Sequence, residues 1–148
     1  MKMTAVTADR LLVIENPGLM GKASYPMKAT TGVVYAGALV MADSSGNVTT
    51  AADTASTRCV GVAIAGETNT GAAGAKRAEV INGCDVHLAI EGTTLDATDI
   101  GKTVYTKDNA TVCDATEATN DIPVGELIRL ESATVAVVRL LTPGFSAS

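Results

Sequence analysis

The run Cys84-Asp85-Val86-His87-Leu88-Ala89-Ile90-Glu91 alternates without interruption, with Cys84, Val86, Leu88 and Ile90 on one face and Asp85, His87, Ala89 and Glu91 on the other. A period of two is the pattern of a half-buried β-strand, and no helical period sorts these residues that way. Asn82-Gly83 stands immediately before it, behind the apolar-rich residues 77–81. That dipeptide suits a two-residue turn better than any other, so a central hairpin is expected. The chain's only histidine lies on the outer face of this strand between two acids, while the inner face is aliphatic or thiol. The most regular strand therefore offers no catalytic grouping.

The rest of the chain from Gly32 repeats this texture in shorter pieces. Val33-Val34-Tyr35 and Ala38-Leu39-Val40-Met41 lead to Asp43-Ser44-Ser45-Gly46-Asn47, a turn, and to Val48-Thr49-Thr50 as its return strand. In residues 59–65 the alternation points Val60, Val62 and Ile64 inward. Gly61, Ala63 and Ala65 leave the other face nearly bare, which permits another backbone to come close. Residues 66–75 have small side chains and no period, and read as a mobile loop. Residues 93–101 fit one helical turn with Thr or Asp capping and Gly101 ending it. Residues 102–106 and 110–113 form a hairpin across 107–109, and residues 124–131 and 134–141 form the last pair across Ser132-Ala133. About nine short strands without a convincing helix make an all-β fold, a compact small barrel or sandwich.

Residues 1–31 differ from this body. Pro17-Gly18, Gly21 and Pro26 interrupt any long element, so the segment reads as an extended N-terminal arm with one sticky patch, Leu11, Leu12, Val13 and Ile14. That patch reads equally well as the first strand of the body. The organisation expected is thus an arm (1–31), a β-body (32–141) and a short tail (142–148).

Composition narrows the function classes. A 148-residue chain is one domain by length and buries roughly 70% of its unfolded surface. With no Trp, one Phe and three Tyr, its core must be Val, Ile, Leu and Ala, and platforms for stacking bases or sugars are scarce. Lys2, Arg10, Lys22 and Lys28 against Asp9 and Glu15 leave residues 1–28 at +2, so residues 29–148 carry −7 of the net −5. An acidic body repels phosphate backbones and disfavours nucleic acid, whereas contact with a protein through the N-terminal segment fits. Cys59, Cys84 and Cys113 are odd in number and widely spaced, which is no disulfide framework and suits a reducing cytoplasm. The longest apolar run near the N-terminus, residues 11–14, is too short for a secretion signal or a membrane span.

Searches for chemistry end in structural readings. Gly66 and Gly71 have the spacing of a phosphate loop, but Ala72 stands where its lysine belongs. Cys84 and His87 have a metal-like spacing, yet in a strand they point to opposite faces. A nucleophile would have to rely on His87, whose acidic neighbours Asp85 and Glu91 favour its protonated form, so an ion-paired histidine is expected. The acids are too scattered for glycoside chemistry, and Asp43 to Asn47 lacks the remaining ligands of a calcium loop. No enzyme, cofactor or metal is implied.

The span from Gly32 to Leu141 resembles the phage capsid cement, or head-decoration, protein family. The likeness rests on Ala36-Gly37-Ala38-Leu39-Val40 with a hairpin after it, Val60-Gly61-Val62-Ala63, Ile100-Gly101-Lys102-Thr103-Val104-Tyr105, and Pro123-Val124-Gly125-Glu126-Leu127, in that order. The resemblance implies a β-tulip-like protein, made in the host cytoplasm, that binds the outer surface of an icosahedral head and stiffens it. Its partners would be the major capsid protein and its own copies, commonly homotrimers at three-fold and quasi-three-fold positions. On this reading the capsid-binding residues are Leu11, Leu12, Val13, Ile14, Tyr25 and Met27. The rival reading is a virion surface adhesin or fibre module recognising host glycan or protein through residues 66–75 and 114–122.

Overall fold

The computed structural model describes residues 5–16, 20–91 and 95–141. The expected break at Pro17-Gly18, the Thr93-Thr94 part of the helical turn and the 142–148 tail lie outside the described residues. The described chain is nearly all β, as its short alternating runs imply. Thirteen strands follow in order: β1 (Ile14–Asn16), β2 (Gly21–Pro26), β3 (Gly32–Val34), β4 (Leu39–Ala42), β5 (Val48–Thr50), β6 (Arg58–Ala63), β7 (Glu67–Asn69), β8 (Arg77–Asn82), β9 (Asp85–Ile90), β10 (Thr103–Thr106), β11 (Thr111–Cys113), β12 (Pro123–Leu130) and β13 (Val135–Leu140). One 3-10 turn, Ala97–Asp99, carries the expected cap: Asp96 accepts from the Thr98 amide while the Asp99 side chain returns to the Asp96 amide.

β9 pairs with β13 along one edge and in parallel with β11 on the other, so the order β9-β11-β10-β12-β13 closes into a five-stranded barrel. Val86, Leu88, Ile90, Val104, Val112, Leu127 and Val138 fill it. A second sheet, β2-β8-β6-β4-β5, curls until its ends meet at a parallel bridge between Met27 and Val48. Met27, Val40, Val48, Val60 and Val80 form its own core, with Val34 of the small β3-β7 ribbon. Its outer face contributes Leu39, Val62 and Ile81 to the first core, so the sheet is buried on both sides. Small aliphatic side chains fit such double burial, because each layer must close against two neighbours at interior packing density.

Four expectations change here. Asn82-Gly83 does turn the chain, with Gly83 at φ +75°, but β8 and β9 belong to different sheets and do not pair. The dipeptide makes a corner between two cores instead of a hairpin. Val60 and Val62 do not share a face either. The β4-β6 register runs Val40 to Gly61 and then Met41 to Cys59, a bulge that skips Val60 and reverses the faces. Val60 enters the second core, Val62 the first, and Ile64 is 42% exposed beyond the strand end. The bare side at Gly61 does admit a backbone: a Cβ there would stand 2.1 Å from the Ile81 carbonyl oxygen. The loop expected at 66–75 contains β7, and Gly21–Pro26 of the expected arm pairs with β8 at six consecutive positions, so this part of the arm is a sheet strand. The hairpins across 43–47, 107–109 and 132–133 form where expected.

Asp53 pins the long loop between β11 and β12. Its carboxylate accepts from the Thr119 and Asn120 amides at 2.7 and 2.9 Å and from the Asn120 side chain at 3.1 Å. Burial pushes its pKa up, but these hydrogen bonds and the charge of Lys107 outweigh it and leave it below the usual carboxylate range. A depressed folded-state pKa contributes stability that is present above the unfolded value, about 3.9, and lost as pH falls through the folded one.

Two outcomes are expected in urea denaturation. Gly61→Ala loses about 3 kcal/mol or more, because the new methyl collides with fixed backbone on top of the strain of a φ of +138° that alanine rarely adopts. Gly46→Ala loses about 1 kcal/mol, since its φ of +82° is unfavourable for alanine but its surroundings are open. Equal losses would remove the close approach as the cause. Asp53→Asn destabilises the protein at pH 7, and its deficit shrinks toward zero as pH drops below about 4; a deficit independent of pH would contradict the charged hydrogen bonds.

Candidate functional site

The N-terminal segment, residues 5–16, lies along the outside of the barrel as a strap held at four places. The Val6 amide donates to Asn109 Oδ1 at 2.8 Å, and Asn109 Nδ2 returns to the Val6 carbonyl at 2.9 Å. The same Nδ2 reaches Thr50 at 2.8 Å, so one buried asparagine ties strap, barrel and second sheet together. Next, Asp9 Oδ1 accepts from the Ala36 amide at 2.9 Å, and the Arg10 amide donates to the Ala36 carbonyl at 2.8 Å. Gly37 makes this approach possible: a Cβ there would lie 2.5 Å from the Arg10 carbonyl oxygen. Further on, the His87 amide donates to the Val13 carbonyl at 3.1 Å. Finally β1 pairs with β9 at Ile14–Val86 and Asn16–Asp85, on the edge length of β9 that β11 leaves uncovered.

This path sorts the expected contact residues. Leu11 is 86% exposed, Val13 41% and Ile14 38%, whereas Leu12 turns inward against the first core. Tyr25 is half-buried against the second core. Met27 is fully buried inside that core, which removes it from any contact surface. The residues brought to the surface together are thus Leu11 and Val13, just before β1, and Ile14, its first residue, and β1 ends the sheet order.

An ionic group borders them. His87 Nε2 pairs with Glu15, whose other oxygen accepts from Arg129 Nη2 at 2.5 Å; Arg129 also meets Glu131 at 2.9 Å. His87 does pair with a carboxylate, as expected, but with one 72 residues away in place of Asp85. Asp85 is buried and binds Arg139 through both oxygens, at 2.8 and 3.1 Å. Sequence spacing carries no signal for the Glu15 pairing, which exists only because β1 docks on β9. Donor atoms of Glu15, His87 and Glu131 lie within 4.8 Å of one another. That spacing is open to a cation, but the Arg129 guanidinium already supplies the positive charge both carboxylates need.

The cysteines are poor nucleophiles. Cys84 and Cys113 are buried and Cys59 is half-buried, all three as free thiols. Burial pushes the Cys59 thiol up to about 11 and the Cys113 thiol to about 12, and raises that of Cys84. Cys84 faces the core while His87 faces out, so the two do not meet. Among the described residues, no helix is long and apolar enough to cross a membrane.

No family model, curated protein or solved structure matches this chain. An exposed aliphatic patch beside an end strand, with an ionic border, suits the docking of another polypeptide, since an end strand offers main-chain groups next to those side chains.

Iodoacetamide at pH 8 is expected to leave Cys84 and Cys113 unmodified in the folded protein and to label Cys59 slowly, with all three labelled in guanidinium chloride. Intact mass and peptide mapping read the result. Rapid native labelling of Cys113 would contradict its burial.

Proposed function

We propose that this protein is a capsid decoration, or cement, protein that binds the outer surface of a phage head and stabilises the shell. The observation that carries the reading is the exposed apolar patch of Leu11, Val13 and Ile14, which the docked strap presents beside β1 and which is not folded into either core. A major capsid protein adds a strand or a loop against β1 and that patch, and main-chain hydrogen bonds and the three side chains supply the contact. A single contact of this size is weak. A homotrimer at three-fold and quasi-three-fold positions multiplies it, because a lattice presents identical sites at fixed spacing. The sequence resemblance carried by the four segments named above is the other support for this reading. The protein works by mechanical clamping and transforms no substrate.

Co-sedimentation with empty expanded heads and with unexpanded precursor heads of the encoding virus tests this. The protein is expected to pellet with expanded heads. Leu11→Asp with Val13→Asp weakens that binding by about tenfold or more while leaving the urea midpoint nearly unchanged, since each exposed side chain contributes on the order of 1 kcal/mol when buried. Wild-type protein that stays in the supernatant with both kinds of head would overturn the proposal.

A further inference from the structure

Beneath the strap lies a cleft of about 360 Å³ on the outer face of the barrel, lined by Val6 and Arg10 from the strap and by Ala89, Thr111 and Val135 from β9, β11 and β13. Its floor follows from strand alternation. Val112 points into the barrel, so Thr111 beside it points outward, next to Ala89, its register partner on β9. The strap covers that face, and Thr111 is fully buried as a result. Its hydroxyl has no hydrogen-bond partner among the described residues. A buried hydroxyl left unpaired is unfavourable, and a ligand that accepts from it removes the penalty.

Arg10 supplies the other half. Its guanidinium has five donor hydrogens, and its one hydrogen bond among the described contacts is a long one, Nη2 to the His87 carbonyl at 3.4 Å. Burial lowers its pKa, and the nearby charge of Asp108 offsets this only in part. Asp108 spends one carboxylate oxygen on the Ala110 amide at 2.9 Å, so no described contact brings it to the guanidinium as a bonded counter-ion. A half-buried cation and a buried, unpaired hydroxyl thus belong to the lining of one cleft, with His87 and Thr134 as its other polar residues and aliphatic side chains completing the walls.

We propose that this cleft binds a carboxylate carried on a short aliphatic group. The carboxylate takes the Arg10 guanidinium and the Thr111 hydroxyl, and the aliphatic part lies against Val6, Ala89 and Val135. One cation matches one negative charge, and a volume near the low end of small-molecule sites matches a ligand of a few carbons. Both a free short-chain acid and the C-terminus of a polypeptide present this chemistry. The site is independent of the apolar patch assigned to the capsid and stands whether or not that assignment does.

Amide chemical shifts of the intact protein, titrated with hexanoate, hexanamide, N-acetyl-Ala-Leu and its C-terminal amide, test the proposal. Hexanoate or the free-acid dipeptide is expected to shift the amides of Ala89, Thr111 and Val135 with saturation, while both amides bind at least tenfold more weakly. Preference for hexanoate identifies a free acid, and preference for the dipeptide a chain terminus. Thr111→Val is expected to raise the unfolding midpoint and to weaken the acid at least fivefold, a combination that general loosening of the fold does not produce. Arg10→Gln is expected to abolish saturable binding. Equal affinity for hexanoate and hexanamide, no saturable shift with any probe, or unaltered binding in Thr111→Val would overturn the site.

Discussion

β9 organises this molecule because both of its edges and both of its faces are used. One edge runs against β13 for five positions; the other is divided, with β11 taking Ala89 and Ile90 and β1 taking Asp85 and Val86. The first pairing and the β11 pairing close the barrel. The β1 pairing fastens the N-terminal segment to the outside. Val86, Leu88 and Ile90 fill the interior while His87 and Ala89 support the strap, so a single period-two strand serves closure, core and surface at once.

The second constraint is how so few large side chains make two cores. Lacking Trp and nearly lacking Phe, the chain cannot fill space with aromatic volume, and it relies on thin layers packed closely. The second sheet is sandwiched, with one face lining its own core and the other closing against the first. Gly61 is where this geometry is decided. The bulge there sends Val60 and Val62 into opposite layers, and the missing Cβ lets the Ile81 carbonyl come within reach of contact.

The surface consequences follow from where the strap lies. It carries Leu12 inward and Leu11, Val13 and Ile14 outward, brings Glu15 to His87 and Arg129, and roofs the cleft above Thr111. An apolar patch and a polar cleft thus sit on the same short segment, a few residues apart, yet face different surroundings. The capsid reading uses the first, and the ligand proposal uses the second.

Local chemistry by itself determined the all-β class, the hairpins at 43–47, 107–109 and 132–133, the Asp96 cap and the outward position of His87, because each depends on neighbours within a few residues. The exposed aliphatic patch at 11–14 was legible too, though not the inward turn of Leu12. Only the tertiary structure decided that Asn82-Gly83 is a corner, that Val60 and Val62 part company, that residues 21–26 belong to a sheet and that Met27 is core. The physical reason is the same in each case. A turn residue sets backbone direction and alternation sets faces, but which strand lies alongside is settled by long-range packing, and a single bulge reverses every face beyond it. The pairing of His87 with Glu15 and the unpaired Thr111 hydroxyl exist only once the strap has docked, so nothing in the linear spacing of these residues announces them.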